Sequence, residues 1–374
     1  MTYPLFATAA SGLEAVVAKE LKHMGFETQT ELGRVRFEGD LPEIVKTNLW
    51  LRAADRVKII IGEFDVYDFD SLFEQVKALP WDQYLPLDAA FPVAGRSVKS
   101  KLFSVSDVQR LTKKAIVDKM SNVYHRQTRL PETGGLYPLE ISILKNHAIV
   151  SLDTSGSSLF KRGYRLEKGD APLKENMAAA LVELTNWHAD MPFLDPVCGS
   201  GTIPIEAAMI GLNRAPGYQR HFAFEDWLWF DPAILAQAKE EADDVQEVAQ
   251  KLTILASDID GSMIDIAKLN AHQAGVLHQI QFKQVAIKDF RTELKHGVLV
   301  ANPPYGERLS DQTAVRDLYR QMGQAFGQMT TWSQYYLTSD LGFEKAFGKK
   351  STKRRKLYNG ALRTDLFQYW ANKH

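Results

Sequence analysis

The chain has 374 residues, a formal net charge of −1 and one cysteine. That length supports two sizeable cores, the balanced charge gives no global sign of a nucleic-acid partner, and a lone thiol excludes an intramolecular disulfide and a cysteine-pair zinc site. No apolar run reaches the ~20 residues of a membrane span, and Met1 to Ala7 lacks the basic segment and long apolar stretch of a secretory signal, so a reduced, cytoplasmic setting without membrane contact is expected.

Residues 1–65 open with an extended Leu5-Phe6-Ala7-Thr8 segment. Ser11-Gly12-Leu13-Glu14 has the spacing of a capping box. Leu13, Val16, Val17, Leu21 and Met24 then recur at helical spacing up to a stop at Gly25. Val35 and Phe37 alternate as a strand, residues 42–51 read as a helix and 57–64 as a strand. The stretch is expected to be a small α+β support module.

Residues 66–160 predict a helix over 70–79 and strands over 91–98, 139–144 and 148–152, the last two joined by a Lys145-Asn146 turn. From Arg96 to Arg129 there are nine Lys or Arg residues against Asp107 and Asp118. Within that basic stretch Ser106 is placed to cap a helix whose Val108, Leu111, Ala115 and Ile116 face a core. Arg110, Lys113 and Lys114 form another face, able to meet phosphates or only solvent.

Chemistry-bearing motifs begin at Phe193-Leu194-Asp195-Pro196-Val197-Cys198-Gly199-Ser200-Gly201-Thr202. An apolar strand, an acid at its end, a small-residue loop and a helix describe a nucleotide-type site at the carboxyl edge of a parallel sheet. Gly199 and Gly201 permit close backbone approach, loop N–H groups suit an anionic group, and Asp195 suits an ammonium. No Gly-Lys-Ser/Thr follows, so this is not a phosphate-binding P-loop. Cys198 is expected to be a small packing residue. A second strand, residues 252–257, ends in Asp258-Ile259-Asp260, where an acid would meet a ribose diol or cap the next helix. About sixty residues separate the two acids, against roughly twenty in the simplest pattern, so an insertion lies near 213–250. Its aromatic run from Phe222 to Phe230 is expected to pack rather than to catalyse.

After the apolar Val298-Leu299-Val300-Ala301 comes Asn302-Pro303-Pro304-Tyr305-Gly306. An amine conjugated to a base ring is a poor nucleophile and must have its lone pair aimed. The Asn302 side-chain oxygen and the Pro303 carbonyl can accept both protons of one planar NH2 group, and Tyr305 would stack on the ring. At the carboxyl end, residues 335–338 predict a strand, Asn359-Gly360 a hairpin turn, and Lys349 to Lys356 a basic loop able to contact phosphate.

With these motifs in this order, residues 165–370 resemble a class I S-adenosylmethionine-dependent methyltransferase carrying the Asn-Pro-Pro-Tyr amine-methylating motif. Residues 66–160, through Gly95 to Leu102 and the basic helix, resemble a THUMP RNA-binding domain. Phe160 to Arg165 and Ala171 to Leu181 resemble the linker and first helix of THUMP-bearing guanine-N2 methyltransferases of bacterial large-subunit ribosomal RNA. The resemblance implies an α/β, Rossmann-like methyltransferase with a mixed seven-stranded sheet over residues 161–374, preceded by an α+β ferredoxin-like and THUMP region. It implies a cofactor site of Asp195, Pro196, Cys198, Gly199, Gly201, Thr202, Asp258, Ile259, Asp289 and Asn302, with Asp289 at the adenine amine. Asn302, Pro303, Pro304 and Tyr305 would be catalytic. Arg96, Lys99, Lys101, Arg110, Lys113 and Lys114 would bind RNA, and no metal is called for. Arg162 and Arg165 would contact RNA or tie the domains together, while Glu175 and Asn176 would border the methionine end of the cofactor or start a helix. A transfer-RNA guanine methyltransferase, an adenine-N6 DNA methyltransferase, a protein-glutamine methyltransferase and a non-catalytic RNA-binding assembly factor remain alternatives.

Overall fold

The computed structural model describes residues 1–165, 173–305 and 309–372; Gly306 and the linker residues Ala171 and Pro172 lie outside them. Chain order in the amino-terminal half is β1 (Tyr3–Thr8), α1 (Glu14–His23), β2 (Gln29–Glu31), β3 (Arg34–Gly39), α2 (Leu41–Trp50), β4 (Arg56–Asp65), α3 (Phe69–Ala78), β5 (Val93–Val98), α4 (Val105–Val123), β6 (Leu139–Leu144) and β7 (His147–Asp153). Val57 to Ile61 are all buried, as a strand covered on both faces requires. β4 pairs antiparallel with β1 at Leu5↔Ile59 and with β7 at Ile59↔Leu152. The two amino-terminal stretches therefore share one seven-stranded sheet, ordered β2-β3-β1-β4-β7-β6-β5.

The carboxyl-terminal half continues as α5 (Glu175–Glu183), β8 (Phe193–Asp195), α6 (Thr202–Gly211), α7 (Pro232–Asp244), β9 (Ile254–Asp258), α8 (Gly261–Gln273), β10 (Ile280–Gln284), β11 (Val298–Ala301), α9 (Leu309–Phe326), β12 (Ser333–Thr338), α10 (Phe343–Phe347), β13 (Lys353–Asn359) and β14 (Leu362–Tyr369). The sheet order is β10-β9-β8-β11-β12-β14-β13. β14 runs antiparallel to both neighbours and the other strands are mutually parallel, which is the expected mixed sheet. The chain moves outward from β8 to β10 and returns to β11 on the other side of β8. The carboxyl ends of β8 and β11 thus flank a topological switch point, where open α/β sheets bind ligands.

Several local expectations need correction. Ser11 does not cap α1: the N-cap is Leu13, without a side-chain bond, and Glu14 instead accepts from the N–H groups of Gly12 and Gly33 at 2.8 and 3.0 Å. A capping box does occur at α2, where Asp40 and Glu43 exchange bonds. The helix of the basic stretch begins at Val105, one residue before Ser106, with Ser104 at its N-cap. Lys353, Arg354, Arg355 and Lys356 belong not to a loop but to the edge strand β13, because Lys353 to Asn359 pair antiparallel with β14 across the Asn359-Gly360 turn.

The insertion joins the halves. Trp227 stacks on Tyr137 at 5.7 Å and its indole N–H donates to the Leu136 carbonyl at 3.0 Å; Trp229 donates to Tyr84 at 2.9 Å. These aromatics are packing groups, as anticipated. Elsewhere along the seam, the Arg355 guanidinium donates to the Gly12 carbonyl at 2.9 Å, and Gly217 N–H to the Leu49 carbonyl at 2.9 Å.

Gly12 meets β13 with φ of 94°, and a Cβ there would lie 2.8 Å from the Lys356 carbonyl oxygen. Gly25 also has positive φ, but a Cβ there meets nothing within 4 Å. Gly12→Ala should therefore lose about 1–3 kcal/mol of stability, and Gly25→Ala about 1–2 from backbone strain alone. Calorimetric melting of the two variants against the parent chain gives the comparison, with the larger drop expected for Gly12→Ala.

Candidate active site

The site is assembled from three adjacent strand ends. At the end of β8, Asp195 is buried, and desolvation followed by the nearby Asp258 charge raises its carboxyl well above the usual range. One oxygen accepts from the Val197 N–H at 3.2 Å. The other, Oδ2, is buried without a hydrogen-bond partner among the described residues. An unpaired buried carboxylate oxygen is costly, and an ammonium placed against it would remove the penalty.

The loop after Asp195 is fastened to β9. Cys198 N–H donates to the Ser257 carbonyl at 2.9 Å, Ser257 Oγ to the Pro196 carbonyl at 3.4 Å, and Gly199 N–H to Asp258 Oδ2 at 2.9 Å. Gly199 and Gly201 have φ of 50° and 83°, which glycine adopts without steric cost. A Cβ on Gly201 would sit 2.9 Å from the Ala267 side chain, so this glycine lets the loop lie on α8; one on Gly199 would meet none of the described residues within 4 Å, so that face of the loop is open among them. Burial, then the Asp195 and Asp258 charges, push the Cys198 thiol well up, which suits a packing residue and not a thiolate nucleophile.

The two acids after β9 divide their work. Asp260 caps α8, accepting from Ser262 N–H at 2.8 Å and Ser262 Oγ–H at 2.7 Å, and these bonds lower its pKa. Asp258 accepts from Gly199 N–H and, at 3.0 Å, from Asp260 N–H. Each of its oxygens keeps a further acceptor direction. Ile259 is 72% exposed, an apolar surface beside these acceptors on which a planar base could lie. Asp289 is exposed at the end of a single turn, Ile287–Asp289. Together the unpaired Asp195 oxygen, the open Gly199 face, Asp258 and Ile259 suit the ammonium, carboxylate, ribose and adenine groups of S-adenosylmethionine in turn.

Three supports brace the site: sequence reasoning missed Asn270, and for Arg162 and Arg165 it had left an RNA contact or a tie between domains open. The buried Asn270 amide on α8 donates to the Ser200 carbonyl at 3.0 Å. Arg165 donates to Thr202 Oγ1 and to the Leu173 carbonyl, both at 2.9 Å, and pairs with Glu175 at 3.3 Å. Arg162 is buried between Glu206 at 3.5 Å and the carbonyls of Leu159 and Arg52 at 2.7 and 2.5 Å. Both arginines tie the linker to the domains. Glu175 opens α5, with burial raising its carboxyl against the Arg165 charge; Asn176 beside it donates to the Ala53 carbonyl at 3.5 Å. A polar residue midway along an amphipathic helix was the available signal for Asn270, whereas the arginine partners lie too far along the chain to be read locally.

Asn302 follows β11 directly. The Tyr305 hydroxyl turns back and donates to Asn302 Oδ1 at 2.5 Å, so the tyrosine holds the amide as well as presenting a ring. Burial, reinforced by Tyr319, raises the Tyr305 phenol far above its ordinary value, and it remains protonated as a donor. The Pro304 carbonyl accepts from the Tyr319 hydroxyl at 2.8 Å. Tyr319, on α9, carries no motif and was also missed.

The six RNA candidates do not form one free surface. Lys113 is drawn inward, its ammonium donating to the Phe91 carbonyl at 2.9 Å and Glu132 at 2.7 Å while lying 3.5 Å from the Phe91 ring centre. Arg110 is exposed but paired with Asp107 at 2.8 Å, and Lys114 lies 5.8 Å from the Phe73 ring centre. Arg96, Lys99 and Lys101 are exposed around the end of β5. There Lys101 Nζ stands 5.2 Å from the Tyr67 ring centre, and Lys101 N–H donates to Asn146 Oδ1 at 2.7 Å. Tyr67, Phe69 and Phe103 are exposed, Phe103 to 83%. This mixture of lysines and uncovered aromatic rings joins the connections that follow β4 and β5 and could not be seen in a single stretch of sequence.

Comparison with known proteins agrees with this architecture. Residues 162–368 match the RMKL-like methyltransferase domain family, residues 4–58 the RlmL ferredoxin-like domain and residues 66–153 the THUMP domain. The chain is 52% identical over 370 residues to "Putative RNA methyltransferase YpsC" of Bacillus subtilis, covering 99% of this chain and 96% of the relative. It is 33% identical over 380 residues to "Ribosomal RNA large subunit methyltransferase K/L" of Magnetococcus marinus, covering 96% of this chain but 52% of the relative, so it spans about half of that protein. A crystal structure from Listeria monocytogenes described as a "predicted N6-adenine-specific DNA methylase" superposes with a TM-score of 0.95 at 57% identity, covering 100% of this chain and 97% of that one. One described as "a putative methyltransferase complexed with SAH" gives 0.95 at 51% identity, with 100% and 99% covered.

Asp258→Ala removes the anchor of the Gly199 N–H and an acceptor facing the site. Calorimetry is expected to show S-adenosylmethionine binding weakened by about 1.5–3 kcal/mol, with Asp260→Ala affecting stability through α8 more than affinity. Unchanged affinity in folded Asp258→Ala protein would remove Asp258 from the cofactor site.

Proposed function

The chain belongs to the RMKL-like methyltransferase family, and from that premise we propose that it transfers a methyl group to the exocyclic N2 amine of a guanine in RNA, with large-subunit ribosomal RNA as the substrate. The protein is an RNA methyltransferase that uses S-adenosylmethionine. The observation that carries the finer reading is the placement of Asn302 to Tyr305 at the switch point beside the Asp195 and Asp258 loops, in a chain that also holds a THUMP domain. The adenine-N6 DNA reading shares the tetrapeptide and the description of the Listeria structure. A THUMP domain in the same chain and the names of the YpsC and K/L relatives favour RNA.

Residues 1–65 would serve as the support module, 66–160 as the RNA-holding unit and 161–374 as the catalytic unit. S-adenosylmethionine supplies an electrophilic methyl group. Asp195, with Pro196, Cys198, Gly199, Gly201 and Thr202 shaping the loop, would hold its amino-acid end; Asp258, Ile259 and Asp289 would take the ribose and adenine. Asn302 Oδ1 and the Pro303 carbonyl would accept the two guanine N–H bonds and aim the nitrogen lone pair. A methyl group passed in line to that nitrogen would form the N–C bond as its bond to the sulfonium sulfur breaks and the electron pair returns to sulfur; the extra proton would then leave the amine to water, so this scheme requires no strong base. Holding the amine in this attitude supplies rate acceleration through orientation, and a base inside a duplex must be turned out to reach it. The Tyr305 hydroxyl bond occupies one acceptor direction of Asn302 Oδ1 and leaves the second for the substrate.

Incubation with radiolabelled cofactor and separate pools of ribosomal RNA, transfer RNA, DNA and protein, followed by nucleoside digestion, should place the label in N2-methylguanosine from large-subunit RNA. Label in N6-methyladenine would select the alternative. In the same assay, Asn302→Ala should lower the saturated rate by ~10²-fold while calorimetry finds cofactor affinity nearly unchanged; full single-turnover activity would remove Asn302 from the mechanism.

For RNA capture we propose the corner of Lys99, Lys101, Tyr67 and Phe103 ahead of the Arg110, Lys113 and Lys114 face, because Lys113 is already satisfied within its domain. Replacing Lys99 and Lys101 with Ala should reduce the salt slope of single-stranded RNA binding by about 1.4, and Phe103→Ala should lose ~1–3 kcal/mol with little change in slope. Isotherms at several salt concentrations separate these effects, and equal slopes in all variants would move the contact elsewhere.

A further inference from the structure

Behind the Asn302 to Tyr305 loop lies a chain of hydrogen bonds whose direction is fixed by chemistry. The Tyr319 hydroxyl is 2.8 Å from the Pro304 carbonyl oxygen and 2.9 Å from Thr338 Oγ1. A carbonyl can only accept, and a phenol has one proton. Tyr319 must therefore donate to Pro304, and Thr338 must donate to Tyr319. Thr338 Oγ1 in turn accepts from the Asp340 backbone N–H at 3.1 Å. The sequence of donation runs from the Asp340 amide through Thr338 and Tyr319 to the Pro304 carbonyl. Tyr319 and Thr338 both have 0% exposure, and burial raises the Tyr319 phenol to about 12, which keeps the proton the relay needs.

We propose that Tyr319 and Thr338 are positioning residues for methyl transfer, acting through the loop and not on the substrate. This rests on the reading of Asn302 to Tyr305 as the amine-orienting loop. Tying the Pro304 carbonyl to the end of β12 fixes the peptide plane between Pro304 and Tyr305. The Tyr305 ring consequently leaves the loop in one direction, from which its hydroxyl reaches Asn302 Oδ1. Prolines donate no backbone hydrogen bond, so the loop cannot anchor itself through the N–H groups of its two middle residues. The anchor is made instead at a carbonyl, from a helix and a strand that frame the site.

Tyr319→Phe and Thr338→Val each break one link while conserving most of the volume, and Thr338→Ser restores the hydroxyl. On the full chain, Tyr319→Phe and Thr338→Val should each lower kcat for RNA methylation about tenfold, since small misplacements of reacting groups are costly. KM for RNA and cofactor affinity should stay within about twofold, because interactions acting only on the reacting geometry leave ground-state binding intact. The double variant should lose little more than either single one, and Thr338→Ser should recover most of the rate. Hydrogen exchange measured without RNA should show faster exchange of the Asn302 and Tyr305 amides in Tyr319→Phe.

Parent-like kcat together with parent-like exchange in Tyr319→Phe overturns the proposal. So does a loss of rate that tracks an equal loss of cofactor affinity and melting temperature, which marks a merely structural role. Should the parent chain methylate no RNA, the functional reading falls, while the exchange measurement still decides whether the relay orders the loop.

Discussion

The parallel pairing of β8 with β9 on one flank and β11 on the other is the constraint on which the site depends. Register places Asp195 opposite Ala256 and Leu299 opposite Leu194, so three strands end at one sheet edge, with neighbours roughly 5 Å apart. Each end delivers different chemistry: an unpaired buried carboxylate oxygen, an acid that holds a glycine loop, and an amide ahead of two prolines. β8 and β11 are short and wholly buried, and their ladder pairings hold the strand ends level. Polar groups at the edge can then be aimed without weakening the core.

The amino-terminal half is attached through a seam rich in buried charge. Arg52 and Arg162 lie within it with Glu20 and Glu206, and burial lowers the Arg52 pKa while raising that of Glu20. Buried ion pairs contribute little net stability because desolvation offsets attraction. What they provide here is geometry: Glu20 accepts from the Arg52 and Ala53 N–H groups at 2.6 and 2.9 Å, and Arg52 donates to the Arg214 carbonyl at 2.8 Å. Directed bonds of this kind fix a joint more narrowly than an apolar contact that can slide, even with Arg52 Nη1 and Glu206 Oε2 buried without a hydrogen-bond partner among the described residues. An RNA held by the first half would therefore meet the strand ends at a set distance.

Much of this was legible in the sequence. Elements came through where periodicity was strong, as in β4, α2 and the Asn359-Gly360 hairpin, and the glycine loop and Asn-Pro-Pro-Tyr, which carry local chemistry, fall at strand ends that the sheet sets side by side. Legibility failed where partners were distant. Ser11 and Ser106 have good spacing for caps, yet Glu14 found Gly33 and α4 began at Val105. Lys113 looked solvated on a helical wheel, but Phe91 and Glu132 arrive from outside the helix. Tyr319 is an ordinary core position by spacing, and only the fold brings Pro304 and Thr338 to its hydroxyl.

The edge strand β13 also bears on how such a protein could have been assembled. Exposed sheet edges invite pairing with other chains, and natural proteins blunt them with charge or cover. β13 has both, since Lys353 to Lys356 are all basic and the loop at Gly12 lies against Lys356 with Arg355 bonded to its carbonyl. The amino-terminal half thus covers part of the β13 edge. A catalytic half separated from it would leave that strand margin guarded by charge alone.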